Sequence, residues 1–156
     1  MDYAKIGYHF GLLNRRSQAY ITYACKPWRL SYSEYVVLHA LYSRDGCSQD
    51  ELVKGLTADK GLVARTTKTL AEKGFILRQQ DAVDKRLRRL YVTAKGLALQ
   101  PQLEQILQCW IETITAGMDK AKQEQTFQCL SAVAEKAATL DITTIYPERK
   151  DWNDTK

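Results

Sequence analysis

Asp84-Lys85-Arg86-Leu87-Arg88-Arg89-Leu90-Tyr91-Val92-Thr93-Ala94-Lys95-Gly96 carries three signals in succession. A charged segment leads into a short run with Leu90 and Val92 on one face, as a half-buried strand requires, and Thr93 can then cap a helix. Upstream, Phe75-Ile76-Leu77-Arg78-Gln79 is a second short β-prone run. The stretch between the runs, Gln80 to Arg88, is polar and holds Asp81 and Asp84 among basic residues. Two such runs joined by a charged loop predict a β-hairpin.

Working back from the hairpin, Gly74 suits a left-handed helix stop. The helix it ends starts at Thr57 or Asp59, either of which can cap it, and Val63, Thr67 and Leu70 form its buried stripe. Ser48-Gln49-Asp50-Glu51 fits a capping box, in which Ser48 and Glu51 satisfy each other's exposed amides. It opens a short helix through Leu52, Val53 and Leu56. Ser33 is expected to cap a helix that carries Val36, Val37, Ala40 and Leu41 and ends before Gly46. From Tyr3 to Ala24, apolar residues recur at near-helical spacing until Pro27 interrupts them. On the far side of the hairpin, Pro101 predicts a kink or break in the helix that Thr93 begins. Leu103, Leu107, Trp110, Ile114 and Met118 then step by threes and fours, as do Phe127, Leu130, Val133, Ala137 and Leu140 after a turn near Lys120. The expected fold is mostly α with a small β-hairpin.

A chain of 156 residues suits one domain that needs no metal or disulfide staple. Cys25, Cys47, Cys109 and Cys129 lie far apart without a CxxC pair, which gives neither a zinc knuckle nor a disulfide framework. No apolar run approaches the roughly 20 residues needed to span a bilayer, and the N-terminus lacks the pattern of an export signal. A cytoplasmic protein with no membrane association is the expectation. His9 and His39 have no metal-ligand spacing and no glycine-rich phosphate loop is present, so neither enzyme activity, a cofactor nor a metal is expected.

Charge is distributed unevenly. Residues 54–95 hold eleven Lys or Arg against four Asp or Glu, whereas the rest of the chain is slightly acidic. One basic face aimed at a polyanion would produce this pattern, and so would a merely solvated basic surface. The short capped helix Ser48 to Leu56, a tight turn and the basic helix Asp59 to Lys73 together read as a helix-turn-helix. Its second helix would enter the major groove and present Lys60, Gly61, Leu62, Ala64, Arg65 and Lys68. Gly61 and Ala64 are small enough for close backbone approach, and Leu62 can meet a thymine methyl. Lys85, Arg86, Arg88 and Arg89 beside this helix are what a wing needs to grip phosphates or enter a minor groove.

In these features the chain resembles a MarR-family regulator from Leu30 to Gly96. The similar stretches are Leu30 to Leu38, Cys47 to Leu52, Leu70 to Arg78 and, most specifically, Asp84-Lys85-Arg86 followed by Leu90 to Gly96, with Val92 where the family has Leu. The resemblance implies a sequence-specific, double-stranded-DNA-binding transcriptional regulator, most simply a repressor, that acts on a pseudo-palindromic operator. It implies a winged-helix lobe over residues 30–96, dimerisation helices over 1–26 and 97–145 that intertwine in a homodimer, and a loose tail over 146–156, in one domain. Packing of those helices within a single chain is the alternative. Arg86 would be the wing-tip arginine in the minor groove, and Asp84 would orient it through a charge-assisted hydrogen bond. Arg65 matches the basic residue common near the middle of the recognition helix. Gly61, Leu62 and Ala64 replace the Ser or Thr often found there, which removes hydroxyl donors.

Many regulators of this kind are released from DNA by a small molecule or an oxidant. Tyr8, Tyr23, Trp28 and Tyr32 could line a site for a small aromatic effector, although an aromatic stripe at helical spacing can equally be core. Tyr32 and Tyr35 resemble the tyrosine pair of hydroperoxide-sensing members. Those members place the reactive cysteine early in the first helix, where this chain has residues such as Gly7 or Gly11. Cys25 comes too late, and Lys26 and Arg29 give it only a weak electropositive setting. A redox switch and a protein-interaction adaptor without DNA binding are the alternatives to a ligand-responsive regulator.

Overall fold

Side-chain caps fix where the helices begin. The computed structural model describes residues 1–85 and 87–145, and within them six helices open on an oxygen that accepts from a backbone amide three residues on. Asp2 accepts from Lys5 (3.0 Å) at α1, Tyr3–Ala24. Ser31 accepts from Glu34 (3.3 Å) at α2, Tyr32–Ser43, and Ser48 from Glu51 (3.2 Å) at α3, Gln49–Leu56. Asp59 accepts from Leu62 (2.7 Å) at α4, Lys60–Glu72, and Asp119 from Lys122 (2.8 Å) at α6, Lys120–Thr139. Each such cap stabilises its helix by about 1 kcal/mol. The second helix therefore starts earlier than expected: Ser31 is its cap, in a full capping box with Glu34, and Ser33 lies inside it. Thr57 instead closes α3 in a left-handed conformation (φ 48°).

The hairpin pairs β1, Ile76–Gln80, antiparallel to β2, Arg88–Val92, in a register from Ile76↔Val92 to Gln80↔Arg88. Residues 46–48 line the other edge of β2. The Gly46 amide donates to Leu90 O (2.8 Å), the Leu90 amide to Cys47 O (2.9 Å), and the Val92 amide to Asp45 Oδ1 (2.7 Å). The hairpin is thus rooted in the connection between α2 and α3.

Thr93 caps α5, Ala94–Ile114, by accepting from the Gly96 amide (3.1 Å). Pro101 does not break that helix. It sits on the exposed side, where water can serve the carbonyl that has lost its donor. The Gln102 amide, in the orientation that satisfies both its ends, reaches Ala98 O (2.9 Å) and Leu99 O (3.0 Å). Gly96 is fixed by close approach, since a Cβ there would stand 2.4 Å from Phe75 O and 2.7 Å from Val92 Cγ1.

The chain forms two compact units, Met1–Ile114 and Thr115–Lys156. In the first, Leu38, Leu41, Leu52, Leu70, Ile76, Leu90 and Leu103 are fully buried, so α2 to α5 and the hairpin root share one core. α1 packs on α5: Trp110 Nε1 donates to Ser17 Oγ (3.0 Å), and the Trp110 and Tyr20 rings stack at 5.1 Å. The far side of α1 stays open, with Tyr3, Tyr8, Phe10, Leu12 and Leu13 exposed. In the second unit α6 buries no residue, Leu130 and Val133 are exposed, and a short helix α7, Ile142–Ile145, follows. Among the described residues no helix is long and apolar enough to cross a membrane.

Candidate nucleic-acid interface

The faces of α4 divide by polarity. Val63, Thr66, Thr67 and Leu70 are buried against the lobe, and the two threonines satisfy their hydroxyls on the helix's own carbonyls, Thr66 on Leu62 O (2.8 Å) and Thr67 on Ala64 O (3.1 Å). Lys60, Gly61, Leu62, Arg65 and Lys68 face solvent, and Ala64 sits at the boundary. Lys60 Nζ lies 2.8 Å from Asp50 Oδ1 on α3, a contact that lowers the Asp50 carboxyl below its ordinary range. Lys68 stands 3.8 Å from Glu72 one turn on. No carboxylate pairs with Arg65 among the described residues. Gly61 leaves room beside it, because a Cβ there would lie 3.5 Å from Arg65 Nη1 and 3.1 Å from Asp59 Oδ1.

Both ends of α4 are fastened. Asp59 caps its start, and at its end Lys73 Nζ donates to Glu34 Oε1 and to Arg29 O, both at 2.6 Å. Glu34 is buried, with its other oxygen held by the Ser31 amide (2.7 Å). Gly74 then reverses the chain in the left-handed region (φ 75°) and leads into β1.

Beyond β1 the loop is organised by Asp81. Its Oδ1 accepts from the amides of Val83 (2.8 Å) and Asp84 (3.0 Å), and its Oδ2 from Arg89 Nε. The Gln80 amide donates to Lys85 O. Asp84, Lys85 and Arg88 have exposed side chains. Arg86, and with it the expected Asp84–Arg86 hydrogen bond, lies outside the described residues. Asp81 was not singled out from sequence, and Arg89 was grouped with the wing's phosphate-gripping arginines. Its guanidinium is instead engaged with Asp81 and with Gly46 O (3.0 Å). No local signal separates Arg89 from Arg88, since only the strand pairing does.

The MarR family profile matches residues 30–87, which span α2 to the wing loop. A solved MarR transcriptional regulator from Methanosarcina mazei Go1 superposes with a TM-score of 0.82 at 30% identity, over 86% of this chain and 96% of that one. The chain belongs to the MarR family. A second relative, the HTH-type transcriptional regulator BilQ of Clostridium symbiosum (strain WAL-14163), is 29% identical over 101 residues, 65% of this chain and 69% of its own. The same fold recurs, at 23% identity and a TM-score of 0.79, in a MarR-type regulator from Listeria monocytogenes solved with a 26mer DNA, over 84% of this chain and 87% of that one. The named relatives in this MarR family group are transcriptional regulators.

The expected effector residues are spread over the surface of this MarR-family chain. Tyr8 and Tyr23 are exposed, and Tyr32 is half-buried against the core. Tyr23 lines an open groove with Arg15 and Lys26, whereas Trp28 lines a separate cavity of about 430 Å³ with Arg29, Lys73, Phe75 and Lys95. Cys25 is fully buried, and burial pushes its thiol up to about 11. Burial is the cause of that shift, and the electropositive setting expected from Lys26 and Arg29 does not offset it.

Proposed function

We propose that the protein is a cytoplasmic transcriptional repressor that binds a pseudo-palindromic DNA operator as a homodimer, without enzymatic activity. The observation that carries this reading is the solvent-facing stripe of α4, where among the described residues no carboxylate pairs with Arg65 and the ion pairs of Lys60 and Lys68 are exposed and screened. Phosphates can displace such contacts at little cost, so Lys60, Arg65 and Lys68 are available to DNA. Gly61, Leu62 and Ala64 leave a low surface that admits the backbone of α4 to the major groove. The wing contributes Lys85 and Arg88 to the phosphates and Arg86 to the minor groove, with Asp84 as its orienting partner. The Listeria monocytogenes regulator of the same fold was solved with a 26mer DNA, which supports a DNA-binding reading.

Dimerisation would cover the exposed apolar residues of α1 and α6 and repeat the interface about a two-fold axis. Two recognition helices would then meet half-sites about one helical turn apart, roughly 34 Å. A small aromatic effector that prefers another spacing would release the DNA, and the cavity beside Trp28 is the more enclosed place for it, although Tyr8, Tyr23 and Tyr32 do not line that cavity. The test is fluorescence anisotropy on duplexes that the wild-type protein selects from a randomised pool, at several salt concentrations. Affinity should fall steeply with salt as counterions are released. Arg86→Ala should weaken binding by about 1–3 kcal/mol, and Asp84→Ala by less. Salt-independent binding, or normal binding by Arg86→Ala, would refute the mechanism.

A further inference from the structure

We infer that Arg89 is a positioning residue for the wing and not one of its DNA ligands, an inference that rests on the DNA-binding reading above. Arg89 lies on β2 with its side chain about one-third exposed, while Asp81 is nearly buried. Nε is committed to Asp81 Oδ2, and Nη1 donates to Gly46 O (3.0 Å) and lies 4.0 Å from Glu51 Oε2. That Glu51 oxygen also accepts from the Ser48 amide (2.6 Å), which closes the capping box of α3. The contacts form a continuous path: the α3 cap, Glu51, Arg89, Asp81, and the amides of Val83 and Asp84 in the wing loop. Only a fork-shaped guanidinium can hold Asp81 and the Gly46 carbonyl together, because its donors diverge in a fixed plane. The path ties the wing loop to the first helix of the helix-turn-helix. The angle at which the wing meets the DNA is thereby set from the body of the lobe.

Charge gives the test a sign. Asp81→Asn removes a negative charge from the wing, so electrostatics alone predicts tighter DNA binding. Positioning predicts weaker binding, by about five- to 150-fold, the range for one lost arginine contact. Arg89→Lys keeps the charge and loses the fork, so it should fall nearly as far as Arg89→Ala. The Asp81→Asn/Arg89→Ala double variant should bind no more weakly than Arg89→Ala, since both changes cut one path. Anisotropy on the selected and random duplexes gives the affinities, and far-ultraviolet circular dichroism gives the folded fraction at the same temperature. Tighter binding by Asp81→Asn, full retention by Arg89→Lys, or losses matched by an unfolded fraction would each overturn the inference. Wild-type protein that shows no salt-dependent binding would instead overturn the DNA-binding reading itself.

Discussion

Lys73 Nζ lies 2.6 Å from Glu34 Oε1, which joins the C-terminal cap of α4 to the first turn of α2. Glu34 is buried, so its carboxylate depends on the ammonium and on the Ser31 amide for the hydrogen bonds that water would otherwise supply. Lys73→Met retains the aliphatic stem and removes the charge. It should destabilise the fold by about 1–3 kcal/mol, the range for an orphaned buried acceptor, and adding Glu34→Gln should recover part of the loss. Urea denaturation monitored by circular dichroism reads both effects. A Lys73→Met protein as stable as wild type would show that the pair contributes nothing.

Gly96 offers a sharper steric test. A Cβ would strike the Phe75 carbonyl, which belongs to the backbone and has no rotamer with which to retreat. Gly96→Ala should therefore lower stability by about 1–3 kcal/mol through overpacking, although alanine is the better helix former. Trimming Val92 to Ala should not rescue it, because the closer contact remains. The melting temperatures of the three proteins settle the point, and an unchanged value for Gly96→Ala would contradict the packing described.

What could be read from sequence was mostly local. The Ser48–Glu51 box, the Gly74 stop and the Thr93 cap each involve residues a few positions apart, and all three were legible. Ser31, and not Ser33, caps α2, and Glu34 three residues on marks it as the box serine. At Pro101 the helix is not broken, and the rule for proline ignores the side of the helix it occupies. The Arg89–Asp81 pair and the Lys73–Glu34 pair escaped notice because they depend on strand register and on packing across 39 residues. The stacking of Trp110 on Tyr20 within one unit depends on packing in the same way.

Stability at low pH should report on the wing. The amide of Asp84, the Arg89 guanidinium and the amide of Val83 hold the Asp81 carboxyl down at about 2, whereas an unfolded aspartate titrates near 3.9. The folded state binds this proton less tightly than the unfolded state. The stabilisation is therefore complete above about pH 4 and is lost as pH falls towards 2. Asp81→Asn should be less stable than wild type at neutral pH, and the gap should close across that interval. Parallel acid titration curves for the two proteins would contradict this account.

Oxidation should leave DNA binding intact. With its thiol near 11, Cys25 is about one part in a thousand thiolate at pH 8. Cys47 is also raised, chiefly by burial. Thiol reagents should label the exposed Cys109 and Cys129 first, and Cys25→Ser should behave as wild type towards peroxide. Rapid loss of DNA binding at micromolar peroxide, abolished by Cys25→Ser, would overturn this.

The proposed dimer predicts a sedimenting mass about twice the 17.8 kDa of one chain. Removing Asp119 to Lys156 should yield aggregated or unfolded material, because the terminal helices carry apolar faces that the lobe cannot cover without the proposed dimer. A soluble, folded monomer from that truncation would exclude an obligate dimer.

The hairpin is pinned at its base by the amides of Gly46, Leu90 and Val92, while Lys85 near its tip is exposed. Base and tip are therefore open to separate histories of change. Under the proposed function, drift at the tip would retune which operators are recognised while folding is untouched, so gene targets would be exchanged between lineages without passing through an unstable ancestor.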